Sequence, residues 1–302
     1  MAQPGVPARR GWVNPEMTTQ ALTFTASRPQ LFAVAYRMLG SVSDAEDVLQ
    51  DAYLRWVSAV RDDIDNPAAY LTTVVTRICL DVLKSARVKR EVYVGPWLPE
   101  PLLCDTMPDP ADAALVADSL SMAFLVLLES LSPLERAAFL LREVFGYEYD
   151  EIAAVLERDA AACRQLVSRA RKQVDARRPR YSASRAEGER LTTEFLVACG
   201  TGDVDALMQL LAGDVVLHSD GGGVVSAARR PVVGPSDVAR FMVGISKNPP
   251  VDLHVRLTLV NGDPGAVVSR AGDILFVLGL EIADRRIVRV NIVRNPEKLT
   301  HL

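Results

Sequence analysis

Asp150-Glu-Ile-Ala-Ala-Val-Leu-Glu157, then Arg158-Asp159, then Ala160-Ala-Ala-Cys-Arg-Gln-Leu-Val-Ser-Arg-Ala-Arg-Lys172 reads as two short helices around a tight turn. Apolar residues recur at helical spacing in both arms, and the second arm carries Gln165, Ser168, Arg169, Arg171 and Lys172 on its polar positions. This is a helix-turn-helix pattern, whose second helix enters a DNA major groove with its leading residues at base edges and later cations on phosphate. Ala161, Ala162, Arg164, Gln165 and Ser168 fall at the leading end, and Arg169, Arg171 and Lys172 follow. Arg and Gln suit paired hydrogen bonds to guanine and adenine. A helical hairpin with a solvated basic face remains the alternative.

Upstream, Leu120, Phe124, Leu127, Leu128 and Leu131 form one apolar stripe, and Ser132-Pro133 with Glu135 opens another helix through Phe139 and Val144 until Gly146 breaks the pattern. Before that lie five prolines between Gly95 and Pro110, a density that excludes helix and sheet and predicts an extended connector. Trp97 and Leu98 in that connector are costly to leave in water, so it is expected to lie against something. Further upstream, Leu31 to Leu39 and Val48 to Ala59 repeat at three- and four-residue steps. Gly40 ends the first of these helices, Ser43 with Glu46 is the expected cap of the second, and Asn66-Pro67 starts a third, which runs to Lys84, Arg87, Lys89 and Arg90. Tyr70, Thr72, Thr73, Thr76, Arg77, Lys84 and Arg87 place an aromatic ring, hydroxyls and cations along that third helix, a set suited to unpaired bases and their phosphates; Tyr70 serves equally well in a core.

Downstream of Tyr181 the pattern changes. Two helices, Leu191 to Ala198 and Val204 to Leu211, precede β-branched runs at 215–218, 253–260, 266–269, 274–280 and 287–293, with turn signals at Asn261-Gly-Asp-Pro264 and Ala271-Gly-Asp273 and one interrupting helix, Ser236 to Ile245. The expected fold class is therefore two all-α helical domains, the second a helix-turn-helix, followed by an α+β domain. The boundaries read as a flexible tail at 1–22, a helical domain at 23–94, a Pro-rich linker at 95–112, a helix-turn-helix domain at 113–181 and an α+β domain at 182–302. Met17 is an alternative start to Met1.

The 302 residues carry a net charge of −4, with 49% hydrophobic and 24% charged side chains, an ordinary globular composition. Against the acidic whole, Arg164 to Arg190 holds nine cations and three acids, and Lys84, Arg87, Lys89 and Arg90 form a second basic run; the two runs suggest two anionic contact sites, with two solvated helix ends as the alternative. Cys79, Cys104, Cys163 and Cys199 are scattered without metal-ligand or disulfide spacing, so no metal and no cofactor are expected. An apolar span and a secretory signal are both missing, and a cytoplasmic protein without membrane contact is the expectation.

Asp44-Ala-Glu-Asp47-Val-Leu-Gln50-Asp51-Ala-Tyr-Leu-Arg-Trp56 resembles the polymerase-binding helix of bacterial sigma-70-type factors, and Pro67 to Lys84 resembles their promoter −10 segment. Leu131-Ser-Pro133-Leu-Glu135-Arg136, Tyr149 to Ala153 and Arg164 to Arg171 resemble their −35 module. Two modules without a large insertion resemble the extracytoplasmic-function group. Trp97-Leu-Pro-Glu-Pro101, Asp220-Gly-Gly-Gly223 and Asn295-Pro-Glu-Lys-Leu299 resemble the three signatures of the subgroup with a fused SnoaL-like extension, the sigma factor J type.

The resemblance implies a sigma factor that binds core RNA polymerase, at the beta-prime clamp and beta flap, and promoter DNA at −35 and −10. It assigns Asp47, Gln50, Asp51 and Arg55 to polymerase; Tyr70, Thr73, Thr76, Arg77, Lys84 and Arg87 to −10; and Ala161, Ala162, Arg164, Gln165, Ser168, Arg169, Arg171 and Lys172 to −35. Leu49 and Trp56 would hold their helix in its domain. The extension would be an NTF2-like cone that modulates activity, with Trp97, Leu98, Pro99, Glu100, Pro101, Asp220, Gly221, Gly222, Gly223, Asn295, Pro296, Glu297, Lys298 and Leu299 at an internal interface. No catalytic residue is needed. Three departures stand out: Glu157 or Arg158 replaces the usual turn glycine, Val224 replaces the lysine after the glycine run, and Arg77 stands where many members have Asn. The rival reading is a DNA-binding regulator whose cone binds or converts a small hydrophobic ligand, with His218 and Asp220 as an acid–base pair and Phe241, Met242, Phe276 and Leu278 as lining.

Overall fold

Three helices open the chain: α1 (Pro15–Leu39), α2 (Val42–Ser58) and α3 (Pro67–Arg90). The computed structural model describes residues 15–59, 64–90, 93–103, 120–175, 184–247 and 252–302. Helix α1 begins eight residues inside the expected tail, with Pro15 at a first helical position where its missing N–H costs nothing. Buried Gln20 in this early part accepts the Trp56 indole N–H on its carbonyl at 3.1 Å, tying α1 to α2. The cap of α2 also differs from expectation: Ser41, not Ser43, accepts from the Asp44 amide, and Glu46 pairs instead with Arg28 on the surface. At α3 the expected start holds, with Asn66 Oδ1 accepting from the Ala69 amide.

The second helical group comprises α4 (Met122–Glu129), α5 (Pro133–Phe139) continued by a π turn (Leu140–Val144), α6 (Tyr149–Leu156) and α7 (Ala160–Asp175). Ser132 and Glu135 form the expected reciprocal cap of α5. Glu157 takes the left-handed conformation, φ +54°, that ends α6 and turns the chain into α7. Thus the turn position lacking glycine is occupied by a strained glutamate. Both helical groups share one apolar core, which runs from Phe24 through Leu71 and Ile78 to Leu140, Ile152 and Val174. The two helical domains meet where α3 packs against α5 and α6.

The third unit has α8 (Arg185–Thr201), α9 (Val204–Leu210), β1 (Leu211–Asp220), β2 (Val232–Val233), α10 (Pro235–Ser246) and strands β3 (Leu253–Val260), β4 (Asp263–Arg270), β5 (Asp273–Ala283) and β6 (Arg286–Val293). The sheet order is β2-β1-β6-β5-β4-β3, antiparallel except for the parallel β1–β6 pair. Irregularities in β1, at Val268/Ser269 and at Glu281/Ile282 bend the sheet into a cone. Its inner face, with Leu217, Leu278, Leu280, Val290 and Ile292, packs on Leu191 and Phe195 of α8 and Val238 and Met242 of α10. On the outer face Val267, Val277 and Val293 meet Leu98 of the linker, Met122 of α4 and Leu299 near the C-terminus. The linker therefore runs between the helical unit and the cone.

Candidate nucleic-acid interface and its internal clamp

On α2 the apolar residues Ala45, Val48, Leu49, Ala52 and Trp56 face the core, which leaves Asp47, Gln50, Asp51 and Arg55 exposed on the opposite side. Leu54 lies among them with 60% of its surface in solvent. The sequence reading passed over it, although an apolar residue on the polar stripe of a helix is a visible signal.

Helix α3 is enclosed on several sides. Tyr70 is half-buried with its ring 5.9 Å from that of Trp56, so the core role left open for it is filled. Thr73 is half-buried and donates to the Ala69 carbonyl, while Thr76 is fully buried with its hydroxyl unpartnered. In this arrangement the Thr76 side chain is out of reach of DNA. Arg77 donates from Nε to the Val155 carbonyl at 3.1 Å and from the guanidinium tip to Ala154, and it faces the Glu157 carboxylate at 3.1 Å. The α6 C-terminus, with its unsatisfied carbonyls, is a natural seat for a cation. Nearby the Tyr147 hydroxyl lies 2.9 Å from Thr72 Oγ1. Lys84 is exposed and pairs with Asp81; the side chain of Arg87 lies outside the described residues.

On α7, Cys163, Leu166, Val167, Ala170 and Val174 are buried, so Ala161, Arg164, Gln165, Ser168, Arg169, Arg171 and Lys172 face solvent and Ala162 is half-buried. Asp159 caps the helix through the Ala162 amide. Three cations are held: Arg164 over the Tyr149 ring, Arg169 beside Glu135 and Arg171 beside Glu143. The side chains of Arg177, Arg178 and Arg180 lie outside the described residues.

The linker signature forms a clamp. The buried Glu100 carboxylate accepts from the Val42 and Ser43 amides and from the hydroxyls of Ser41 and Ser43, so it satisfies the open N-terminus of α2 from 57 residues away in sequence. That explains why Ser43 does not cap. The Glu100 amide donates to Gly40, and its carbonyl accepts from Tyr36. Gly40, at φ +68°, has no room for a Cβ because Trp97 lies against it. His301 approaches the Pro101 carbonyl at 2.9 Å.

Asp220, fully buried at the end of β1, accepts from the Tyr93 hydroxyl, the Leu98 amide at 2.8 Å, Lys298 Nζ at 2.7 Å and the Gly222 amide at 3.0 Å. The Lys298 ammonium also reaches the Leu98 carbonyl and lies over the Trp97 and Tyr93 rings. Burial and the hydrogen bond to Asp220 push the Tyr93 hydroxyl pKa well above the tyrosine range. Asn295 caps the turn Pro296–Lys298, accepting from the Glu297 amide, and it donates to Tyr93. Leu299 seats in the shared apolar patch. Gly222, at φ +61°, abuts the Asn295 side chain, where a Cβ would sit 2.4 Å away. All three signatures therefore meet around one buried ion pair, with Lys298 supplying an ammonium between cone and linker even though Val224 follows the glycine run.

A second junction was invisible in the sequence. Asn261, fully buried in the β3–β4 turn at φ +55°, donates to the Tyr36 hydroxyl and the Leu120 carbonyl and accepts from the Leu102 amide. One side chain thus touches α1, the linker and the segment before α4.

The acid–base pair that the rival reading needs, His218 with Asp220, is not formed. They share a face of β1, but Asp220 is committed to its four donors. Burial, aided by the Arg289 charge, lowers the His218 pKa to about 4, and its Nδ1 has no partner. Met242 and Leu278 belong to the packed inner core, with Phe241 and Phe276 against it. Among the described residues no group of three or more His, Cys, Asp or Glu could hold a metal ion, and no helix is long and apolar enough to cross a membrane.

Comparison with known proteins matches residues 23–88 to sigma-70 region 2 and residues 121–174 to sigma-70 region 4. The chain is 37% identical over 289 residues to the ECF RNA polymerase sigma factor SigJ of Mycobacterium tuberculosis, covering 92% of each. It is 34% identical over 283 residues to a probable ECF sigma factor, SigI, of the same organism, covering 92% of this chain and 93% of that one. The crystal structure of M. tuberculosis SigJ superposes with a TM-score of 0.73 at 35% identity, covering 93% of this chain and 98% of that one.

Proposed function

The chain belongs to the extracytoplasmic-function sigma factors of the sigma-70 family, which bind core RNA polymerase and direct it to promoters, and from that premise we propose that it is held closed by its own linker and cone until polymerase opens it. Initiation chemistry belongs to polymerase, so the chain acts by docking, by base contacts and by exposing or hiding them, in the cytoplasm where polymerase works.

In this reading Asp47, Gln50, Asp51 and Arg55, with Leu54 as apolar anchor, dock on the beta-prime clamp, and the −35 module approaches the beta flap. Arg164, Gln165, Ser168, Arg169, Arg171 and Lys172 then hold the −35 duplex, with Ala161 and Ala162 close to base edges. Tyr70, Thr73, Thr76, Arg77, Lys84 and Arg87 hold the opened −10 strand. The observation that carries the closed state is Arg77: a −10 residue spends its guanidinium on the carbonyls and glutamate at the turn of the −35 module. Thr76 is buried in the same state. DNA contact by Arg77 requires α3 to leave α6, and contact by Thr76 requires its exposure. The cone favours closure by holding the linker through Asp220, Lys298 and Asn261.

The test is promoter-dependent run-off transcription with purified core polymerase, comparing the full chain, a chain stopped after Tyr181, and Glu157→Gln, which removes the acidic partner of Arg77 without altering a DNA-contact residue. Initiation by the full chain, raised in Glu157→Gln, supports the closed-state reading. Initiation equal in both removes it. The truncated chain gives the sign of control by the cone.

A further inference from the structure

A cavity of about 290 Å³ lies between the start of the linker and the glycine loop of the cone, lined by Val94 and Gly95 on one side and by Ser219, Gly221, Gly223 and residues 224–229 on the other. Its volume is near the lower bound of small-molecule sites, roughly 300 Å³. Nothing in the closed-state reading uses it, and it is separate from the inner core of the cone.

Among the described residues that line this cavity, the one charged side chain is basic. Arg229 lines it. Behind the loop, Arg294 donates to the Ser226 carbonyl at 2.6 Å, and its buried Nε has no partner. The nearest carboxylate by sequence, Asp220, does not line the cavity and already accepts from four donors. The remainder of the wall is backbone and small side chains, which leaves room for a polar ligand to approach main-chain groups.

We propose that this cavity binds a small molecule bearing a carboxylate or phosphate, which bridges the linker and the cone and so favours the closed chain. Such a ligand touches Val94 and Gly95 on the linker and the 219–229 loop on the cone, segments that separate if Lys298 releases Asp220. A ligand bound only by the docked form shifts the equilibrium towards it by about 1 + [L]/Kd, roughly 100-fold at 100 Kd. The consequence for transcription rests on the closed-state reading; binding itself does not, and it is measured without polymerase.

The experiment is calorimetric titration of the full chain with inorganic phosphate and, separately, with citrate, chloride being adjusted to hold ionic strength constant. The probes distinguish phosphate from carboxylate sources. Saturable binding of at least one is expected, weakened about 10-fold or more in Arg229→Gln and tightened in Val224→Lys, which adds a cation at the rim. Arg230→Gln, adjacent in sequence but outside the lining, is expected to bind as the parent does. The proposal is overturned if neither anion binds saturably, or if binding is equal in Arg229→Gln, Val224→Lys and Arg230→Gln. Binding that weakens equally in Arg229→Gln and Arg230→Gln also overturns it, since that is diffuse attraction to surface charge.

Discussion

Replacing Lys298 by Met keeps the stem that packs beneath Trp97 and Tyr93 but removes the ammonium that neutralises a carboxylate with no solvent exposure. Breaking a buried pair from one side costs about 3–5 kcal/mol, because a charge is left without its counterion. Here the cost falls at the low end, about 3 kcal/mol, since the Tyr93 hydroxyl and the Leu98 and Gly222 amides still serve Asp220. That corresponds to a factor on the order of 100 in the ratio of docked to undocked linker. The loss is local to the junction, because the helical core and the inner core of the cone do not include Lys298. Native-state hydrogen exchange reads it directly. The amides of Leu98, Glu100 and Asn261, which bond across the junction to Asp220, Gly40 and Leu102, are expected to exchange on the order of 100-fold faster in Lys298→Met. Amides in the middle of α7 are expected to keep their protection. Adding Asp220→Asn removes the stranded charge and is expected to recover about 1–2 kcal/mol as a coupling energy. Unchanged protection at the junction, or equal loss in α7, refutes the clamp as a separable unit.

Three further outcomes follow from the same geometry. Glu100→Gln removes the charge that serves the α2 N-terminus and is expected to cost about 1–2 kcal/mol, seen as a fall in Tm of a few degrees; an unaltered Tm contradicts the capping role. Gly222→Ala puts a Cβ on the Asn295 amide at a left-handed position and is expected to raise junction exchange about 10-fold, whereas parent-like exchange would show that Asn295 yields freely. His218, neutral in the fold with its pKa lowered to about 4, leaves the unfolded chain alone to take a proton as pH falls from about 6.5 towards 4, so stability is lost across that window. Glu281, pushed up by burial, takes its proton first in the fold and offsets part of the loss. The net decline is expected to be roughly 2 kcal/mol smaller in His218→Leu, followed by urea unfolding between pH 7 and 4.5, and equal declines would remove His218 as its source.

Much of the architecture is readable because periodicity reports burial directly. Leu166, Val167 and Ala170 mark the inner side of α7, and the alternating strand residues Val277, Val293 and Val267 mark the outer face of the cone. The glycine run and the Pro-rich linker signal close approach and extension, and both meet at the clamp. What escapes the sequence depends on partners far along the chain. Ser43 with Glu46 is a sound local cap, but Glu100 arrives from the linker to occupy those amides, and the cap shifts to Ser41. Asn261 looks like an ordinary turn residue until its side chain is seen to join α1, the linker and the segment before α4. The early turns of α1 carry little apolar periodicity, so Gln20 gives no signal of its bond to Trp56. Thr76 has the chemistry of a base contact, yet it is fully buried by tertiary packing, which local sequence does not encode.

The distance between α3 and α7 tests the closed state most directly. Ser85→Cys and Asp175→Cys are exposed labelling sites on the two helices, with Cys104 replaced by serine. Cys79, Cys163 and Cys199 are buried, and burial raises their thiol pKa, that of Cys199 to about 12, so they resist labelling. Energy transfer between dyes at these sites is expected to be high in the free chain and to fall when core polymerase is added, with the fall occurring in the same holoenzyme that initiates transcription. Transfer that stays high in an initiating holoenzyme would contradict opening, and transfer already low in the free chain would contradict closure.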